Sequence, residues 1–281
     1  YRSLIFLITL LLFFIIYLSV FGVKTNKFNS RIISEVKKIE PNLEVKLSDV
    51  SAKLNLFNLR IDIKTIGTDL IYREKTLKIE TIKSNISLIS FLRGKFALTE
   101  IFISTKSLEV KDLVTFVRLL NNDPKLFIFE KIINKGFIVV DLLLEFDELG
   151  NIKDNYKIKG SVKDGRINLF KIYNLNKIDF IFEFEDKNLK FNNAKLLLNN
   201  KNLKIPELIV SKRDNDYFIS GKLNNQNIKL NKDEVKNFIR NKILDLDIQE
   251  IEFSSQNNFS LTVNKKLKIK NIDINSNIEL N

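Results

Sequence analysis

Apolar and polar residues alternate with a period of two along most of the chain beyond residue 41, which is typical of strands with one buried face. In the run KIDFIFEFE, Phe180, Phe182 and Phe184 fall on one side and acidic residues on the other. A change of phase at Asn271 predicts a β-bulge. Turn-forming residues separate the runs at residues 148–151, 164–165, 199–200, 224–225 and 257–258. The pattern predicts a mostly β fold, an elongated, curved antiparallel meander with one apolar and one charged face.

Three segments show a helical period instead. The first ends at Pro41, and the third opens with Asn231 followed three positions later by Glu234, the spacing of a capping box. These segments predict a few short amphipathic helices at residues 28–41, 112–120 and 231–244.

The chain opens on an uncharged apolar segment at residues 4–23. A helix of about 20 residues spans roughly 30 Å, the thickness of bilayer hydrocarbon. A secretory signal peptide has a shorter apolar core and a small-residue cleavage site, which residues 19–22 match poorly. The segment therefore predicts an uncleaved transmembrane anchor. Because the chain begins with Tyr1 rather than Met, we expect it to be a piece of a longer protein.

The amino-acid composition excludes several kinds of catalytic and metal sites. The chain has 0 Cys and 0 His, which excludes Cys/His zinc sites, His-based triads and Cys nucleophiles. We expect no enzyme, no catalytic residues, no metal and no cofactor. The formal net charge of +12 favours anionic partners such as phospholipid headgroups, acidic glycolipids or nucleic acid. Phenylalanines can stack on bases, but 23 Phe beside a membrane span indicate apolar lining and no nucleic acid.

Other motifs are better explained as turns. The sequence LRGK at residues 92–95 lacks the rest of a phosphate-binding loop and predicts a hairpin turn. Asp147 and Glu148 precede a glycine and predict a turn rather than a calcium site. Asp214 and Asp216 flank a loop, and a catalytic carboxylate pair there would need a pocket.

One stretch of the chain occurs twice. NYKIKGSVKDGRINL at residues 155–169 matches DYFISGKLNNQNIKL at residues 216–230 position for position, with Ile158 aligned on Ile219. We expect each copy to form a strand, a tight turn and the next strand. Repeating such units lengthens a sheet.

The apolar face of such a sheet must be covered, and three short helices are too few to cover it. Either a second sheet packs on it to form a filled core, or the sheet is a groove that holds an apolar ligand. The membrane anchor, the basic charge and the repetition favour the groove. The residues predicted to line it are Phe180, Phe182, Phe184, Ile158 and Ile219.

The order of segments resembles the AsmA-like family of bacterial envelope proteins, the group that includes TamB and YhdP. The likeness rests on the single N-terminal span, LEVKLSDVSAKLNLFNLRIDI at residues 43–63, SNISLISFLRGKFALTEIFIS at residues 84–104 and FDELGNIKDNYKIKGSVKDGRINL at residues 146–169. This resemblance implies an inner-membrane anchor, a periplasmic body and an elongated β-groove related to bridge-like lipid-transfer proteins. It also implies a role in phospholipid movement to the outer membrane and in envelope integrity, without catalytic residues.

Two indications of topology disagree. Arg2 precedes the span, whereas Lys24, Lys27 and Arg31 follow it, so the positive-inside rule places the body in the cytoplasm. The resemblance implies the periplasm, and we adopt that expectation.

The resulting prediction is a single-pass inner-membrane protein that holds phospholipid acyl chains in an apolar groove, with outer-membrane components as further partners. The alternative is a periplasmic scaffold, or an assembly factor for outer-membrane proteins, with a filled β-sandwich core. The predicted segments are the anchor at 1–23, an amphipathic helix at 24–41, a first groove segment with a closing helix at 42–122 and a repeating groove segment at 123–281.

Overall fold

The computed structural model contains one N-terminal apolar helix, five shorter helices and fifteen strands in the part of the chain that it describes. The described residues are 1–26, 29–48, 50–95, 97–121, 124–169, 173–214, 216–238, 249–266 and 268–280. The helices are α1 (Arg2–Val20), α2 (Asn29–Ile39), α3 (Leu88–Leu92), α4 (Val110–Leu120), α5 (Pro124–Ile132) and α6 (Lys232–Phe238).

The first eight strands are β1 (Val23–Thr25), β2 (Leu43–Lys46), β3 (Val50–Asn55), β4 (Arg60–Tyr72), β5 (Lys75–Ser87), β6 (Leu98–Thr105), β7 (Leu108–Glu109) and β8 (Ile133–Glu145). The remaining strands are β9 (Lys157–Leu169), β10 (Tyr173–Glu185), β11 (Asn188–Leu198), β12 (Lys201–Arg213), β13 (Asp216–Asn231), β14 (Glu250–Asn264) and β15 (Ile269–Leu280).

All fifteen strands belong to one open sheet in which most sequence neighbours are also hydrogen-bonded neighbours. The main path runs β1-β3-β4-β5-β6-β8 and then β9 through β15 in order, while β2 pairs with β4 and β7 with β8. This arrangement confirms the predicted mostly β fold: an apolar N-terminal helix, a curved antiparallel meander and a few short helices.

The chain divides into two compact units. The first comprises Tyr1–Glu130 and Ile138–Lys159, and the second comprises Lys131–Phe137 and Gly160–Asn281.

In the first unit, helix α4 covers part of the apolar sheet face. Phe116 of α4 is buried with Tyr72, Leu77 and Ile79, and Ile79 is only 1% exposed. Leu113 packs on the same cluster, so the stripe predicted from Leu113, Phe116, Val117 and Leu120 is borne out at its first two residues. Leu119, outside that stripe, also packs on the cluster, whereas Val117 and Leu120 are exposed. This part of the sheet therefore has a conventional filled core.

Helix α1 is long and apolar enough to cross a membrane, and none of its residues is buried against the rest of the chain. Only Phe21 and Gly22 separate it from β1, which pairs with β3 through Val23 and Ala52. Gly22 has a φ of +69°, and a Cβ there would lie 2.7 Å from the Ala52 carbonyl oxygen. The close approach and the left-handed backbone both require glycine at this junction.

The third predicted helix, α6, begins directly after Asn231, the residue that the sequence predicts as its N-cap. The Glu234 N–H donates to Asn231 Oδ1 at 2.9 Å, and the Asn231 N–H donates to Glu234 Oε2 at 3.0 Å. This reciprocal pair is the capping box that the sequence predicts for α6. The later stripe residues Ile239 and Ile243 lie outside the described residues, as does Phe28 at the start of the first predicted helix.

The duplicated stretch corrects one prediction. Each copy forms one long strand, β9 or β13, rather than two strands joined by a turn. Asp164 and Asn227 have φ values of 51°, and the β13–β14 register shifts between Asn225 and Ile228. Asn and Asp accept the left-handed conformation in bulges as well as in turns, so the local signal was ambiguous.

The other turn predictions had mixed outcomes. Residues 199–200 form the turn between β11 and β12, and a turn occupies residues 148–149. The predicted turn at 257–258 is wrong, because these residues lie within the continuous strand β14. The bulge predicted at Asn271 is confirmed, since the β14–β15 register shifts between the pairs Val263–Ile269 and Thr262–Asn271.

Two short helices differ from the predicted pattern. Strand β5 ends at Ser87 and is followed by α3, which the alternating pattern does not predict, before a turn at residues 93–94 within the LRGK segment. Helix α5 was not predicted, because its sequence PKLFIFEKI is apolar on most sides and has no clear stripe.

Candidate functional site

The candidate site is the apolar face of strands β10 to β15 in the second unit. Residues directly opposite in an antiparallel pair point to the same face, so the register identifies rows across the sheet. One row contains Phe182, Phe191, Leu208, Gly221, Phe259 and Ile274. A parallel row contains Phe184, Leu189, Val210, Ile219, Leu261 and Ile272. We call these two rows the apolar face.

The opposite face of the same strands is polar. Its row between the two apolar rows contains Glu183, Lys190, Ile209, Ser220, Ser260 and Asp273. The contrast explains the alternating sequence, because successive residues of a strand point to opposite faces.

The apolar face is partly open to solvent. Apart from Ile272 and Ile274, which are exposed, its residues are half-buried by their lateral neighbours. In a sandwich, a second sheet would also cover the ends of these side chains and bury them fully. Among the described residues of the second unit, the helical ones are Lys131 and Ile132 at the end of α5 and the residues of α6, which contacts β13. Within the described part of the chain, strands β10 to β15 belong to one sheet and form no separate second sheet.

Aromatic contacts order one end of the face. The Phe180 ring lies edge-on to Phe191 with centroids 5.4 Å apart, and its centroid lies 6.1 Å from that of Phe182. Such aromatic pairs contribute about 0.5–1.5 kcal/mol beyond their buried area. These ring contacts within the sheet fix the positions of the three phenylalanines at this end of the apolar face.

Bulges run through neighbouring strands beside this face. Lys177 and Asn193 have φ values of 50° and 54°, and the spacing of apolar positions changes from two to three between Phe191 and Ala194. The Asp164 N–H at the β9 bulge donates to Asp179 Oδ1 at 2.8 Å. Bulges bend strands and increase their twist, so they give the face its curvature.

Gly221 is the one position in the two rows without a side chain, and its neighbours fill the space there. A Cβ at this position would lie 3.0 Å from Phe259 Cζ and 3.1 Å from Leu208 Cδ1. The neighbouring side chains therefore close over the glycine, and a larger residue would push them apart.

Four of the five residues predicted to line a groove share this face. Phe182, Phe184 and Ile219 belong to its rows, and Phe180 contacts two of its rings. Ile158 is half-buried in β9 and belongs to the first compact unit. Sequence reasoning missed Phe191, Leu208, Val210, Phe259 and Leu261; their alternation was visible, but their pairing partners were not.

Three of the four carboxylates weighed in the sequence, Asp147, Glu148 and Asp216, are engaged within the protein. The Asn151 side-chain amide donates to Asp147 Oδ2 at 3.0 Å and lowers the pKa of Asp147. Lys95 Nζ lies 2.6 Å from Glu148 Oε2 and lowers the pKa of Glu148. Asp216 pairs with Lys270 at 2.7 Å. Within the described ranges, no three acidic side chains gather to hold a metal ion.

Comparison with known proteins gives no family assignment. No family model, no curated protein and no solved structure matches this chain. The likeness to AsmA-like proteins therefore remains a prediction from the sequence.

Proposed function

We propose that this protein is a membrane-anchored lipid-transfer protein whose apolar face holds the acyl chains of phospholipids. It is not an enzyme in this proposal, and its ligand is bound through apolar contact rather than through a polar pocket. The observation that carries the proposal is the pair of apolar rows, continuous over six strands and only half-buried.

The dimensions of the face suit an acyl chain. Six strands are separated by five spacings of about 4.8 Å, which gives a row of roughly 24 Å. One leaflet of bilayer hydrocarbon is about 15 Å thick, so an acyl chain fits along a row. The two rows are two residues apart along each strand, or about 7 Å, which leaves room for a second chain beside the first.

The binding energies favour a lipid that stays bound to the face but is not held at one position. Each fully buried methylene contributes about 0.8 kcal/mol, and an open face buries only part of each methylene. Rows of similar residues offer many positions of comparable binding energy. A lipid can therefore shift along the face while it stays bound.

The cellular setting follows from the anchor and the resemblance. Helix α1 is long and apolar enough to hold the protein in a membrane. We place the body in the periplasm and the anchor in the inner membrane, with lipid delivered towards the outer membrane. The basic surplus of the chain suits anionic headgroups that remain in water.

Lipid that co-purifies with the protein tests this proposal. Helix α1 contributes no buried residue, so residues 23–281 keep every buried side chain as well as strand β1. We expect this body, purified without detergent, to carry phospholipid in near-stoichiometric amount, measured by mass spectrometry of an organic extract.

The scaffold alternative makes the opposite prediction. A body that elutes as a folded monomer without phospholipid, and that takes none from vesicles, would contradict lipid transfer. A soluble β-rich protein purified from the same lysate serves as the control for lipid carry-over.

A further inference from the structure

We propose that three loops with exposed apolar side chains, at one end of the first unit's sheet, insert these side chains into the surface of the bilayer that α1 spans. The loops are residues 56–59 between β3 and β4, helix α3 (Leu88–Leu92), and residues 147–151 after β8; together we call them the membrane-end loops. This inference rests on the proposed membrane anchor and adds a second, peripheral contact with the same membrane.

Exposure identifies the loops. Except for the terminal Tyr1, the three most exposed large apolar side chains in the described part of the chain are Phe57 at 100%, Leu149 at 84% and Leu92 at 81%. Ile89 is also exposed and lies three residues before Leu92, so the two share one side of α3. Single exposed apolar side chains are common on protein surfaces, whereas exposed apolar side chains that gather in one patch mark interaction or membrane sites.

The topology brings all three loops to one sheet end. β3, β5 and β8 end there, and β4 and β6 begin there. The Leu88 N–H donates to the Leu59 carbonyl oxygen at 2.9 Å, which joins α3 to the first loop. The ion pair between Lys95 and Glu148, at 2.6 Å, joins the segment after α3 to the third loop.

This is also the end at which the anchor joins the sheet. β1 runs antiparallel to β3 from the pair Val23–Ala52 to the pair Thr25–Val50, so the chain before Val23 lies towards the end of β3. Gly22 accordingly approaches Ala52 and Lys53, and α1 contacts β3. The membrane boundary at the end of α1 is therefore on the same side as the membrane-end loops.

The depth of the first loop fits an interfacial contact. From Lys53, level with Gly22, β3 continues for two residues, or about 7 Å, before the loop begins. Apolar groups of interfacial segments bury about 5–10 Å into the boundary between headgroups and acyl chains. Phe57 at the loop end is placed to reach that layer.

Basic residues surround the loops at the level of the headgroups. Lys24 follows the anchor, Lys53 precedes the first loop, and Arg93 follows α3, and all three are exposed. Basic residues near an anionic bilayer surface are attracted to it and strengthen binding. The combination of apolar tips and flanking cations identifies a lipid surface as the partner.

Tryptophan fluorescence tests the inference directly. The chain has 0 Trp, so a single introduced tryptophan is the only such reporter. We would compare Phe57→Trp, Leu92→Trp and Leu149→Trp in the full chain, reconstituted into vesicles of brominated and of ordinary phosphatidylcholine. Thr76→Trp, exposed at the opposite end of the β4–β5 hairpin, is the matched control, and Tyr17→Trp in α1 reports insertion of the anchor.

We expect brominated lipid to remove about half of the emission from the three loop variants, as for apolar groups at interfacial depth, while Thr76→Trp is unaffected. If brominated lipid quenches Tyr17→Trp but leaves the loop variants as bright as Thr76→Trp, the inference is overturned. The proposed lipid binding is not affected by that outcome. An unquenched Tyr17→Trp would overturn the anchor and this inference together. Phospholipid bound by residues 23–281 measures the proposed function separately.

Discussion

Replacing Phe182 with glutamate is expected to abolish phospholipid binding while the protein stays folded. Phe182 lies in the middle of the aromatic end of the apolar face, opposite Phe191 and beside Phe180. A carboxylate there would have to lose its water to admit an acyl chain, and burial of an unpaired charge is prohibitive. Because the face is open, the carboxylate of the lipid-free protein remains hydrated. The substitution loses the aromatic contacts, worth about 0.5–1.5 kcal/mol, and part of the roughly 1.5–3 kcal/mol that full burial of a Phe side chain contributes.

The neighbouring residue provides a matched control. Ile181 is 52% exposed and pairs with Asn192 on the polar face of the same strand. Ile181→Glu adds the same charge one residue away, and we expect it to retain phospholipid. Bound lipid per protein, measured by mass spectrometry, and the circular dichroism melting curve separate loss of binding from loss of fold. Unfolding of Phe182→Glu would indicate a covered, filled face, and equal lipid contents in the two variants would contradict binding at this face.

The replacement of Ile79 by alanine is expected to destabilise the first unit by about 2–5 kcal/mol, the range observed for isoleucine-to-alanine changes in cores. Ile79 is 1% exposed in the cluster with Tyr72, Leu77 and Phe116. Because α4 closes this part of the sheet, the deleted methyl and methylene groups leave a cavity that no lipid fills.

Ile66→Ala is the control for the core variant, since Ile66 is 56% exposed on the adjacent strand β4. We expect its free energy of unfolding to change by less than about 0.5 kcal/mol, as for other surface substitutions. Hydrogen exchange of β4 and β5 amides, followed by mass spectrometry, measures the first unit separately from the second. Similar protection in both variants would show that α4 does not close a packed core.

These two variants reflect different solutions to the same problem, an apolar sheet face. The helix that covers the first unit was predictable, because residues 112–120 carry an apolar stripe, and α4 packs Leu113 and Phe116 of that stripe on the sheet. The open face of the second unit was not decided by its pattern. The alternation of apolar and polar residues is the same whether a second sheet or a ligand covers the apolar face.

The strands were predictable because period-two alternation is hard to produce by chance over long runs. The rows were not, because pairing register depends on partners far apart in sequence, and a slip of one residue reverses the face. Phe180, Phe182 and Phe184 were identified within one strand, whereas Phe259 could be assigned to the same face only through Gly221 and the β13–β14 register.

At the bulges, turn-forming residues alone gave a wrong prediction, but the spacing of apolar positions in the sequence still indicates the bulge. The local sequence predicts a turn at Asp164, but β9 continues through this residue with a left-handed backbone. The apolar positions Val162 and Gly165 are three apart, as are Phe191 and Ala194 in β11. A single spacing of three within an alternating run indicates a bulge, whereas a turn interrupts the run altogether.

Photo-cross-linking of the full chain in its own membrane tests the central claim most directly. The photoreactive amino acid p-benzoylphenylalanine would replace Ile219 on the apolar face or Ser220, its neighbour on the polar face. Our account predicts a phospholipid adduct, detected by mass spectrometry of the protein, at position 219 and none at position 220. Adducts to protein alone at position 219, or equal lipid adducts at both positions, would contradict it.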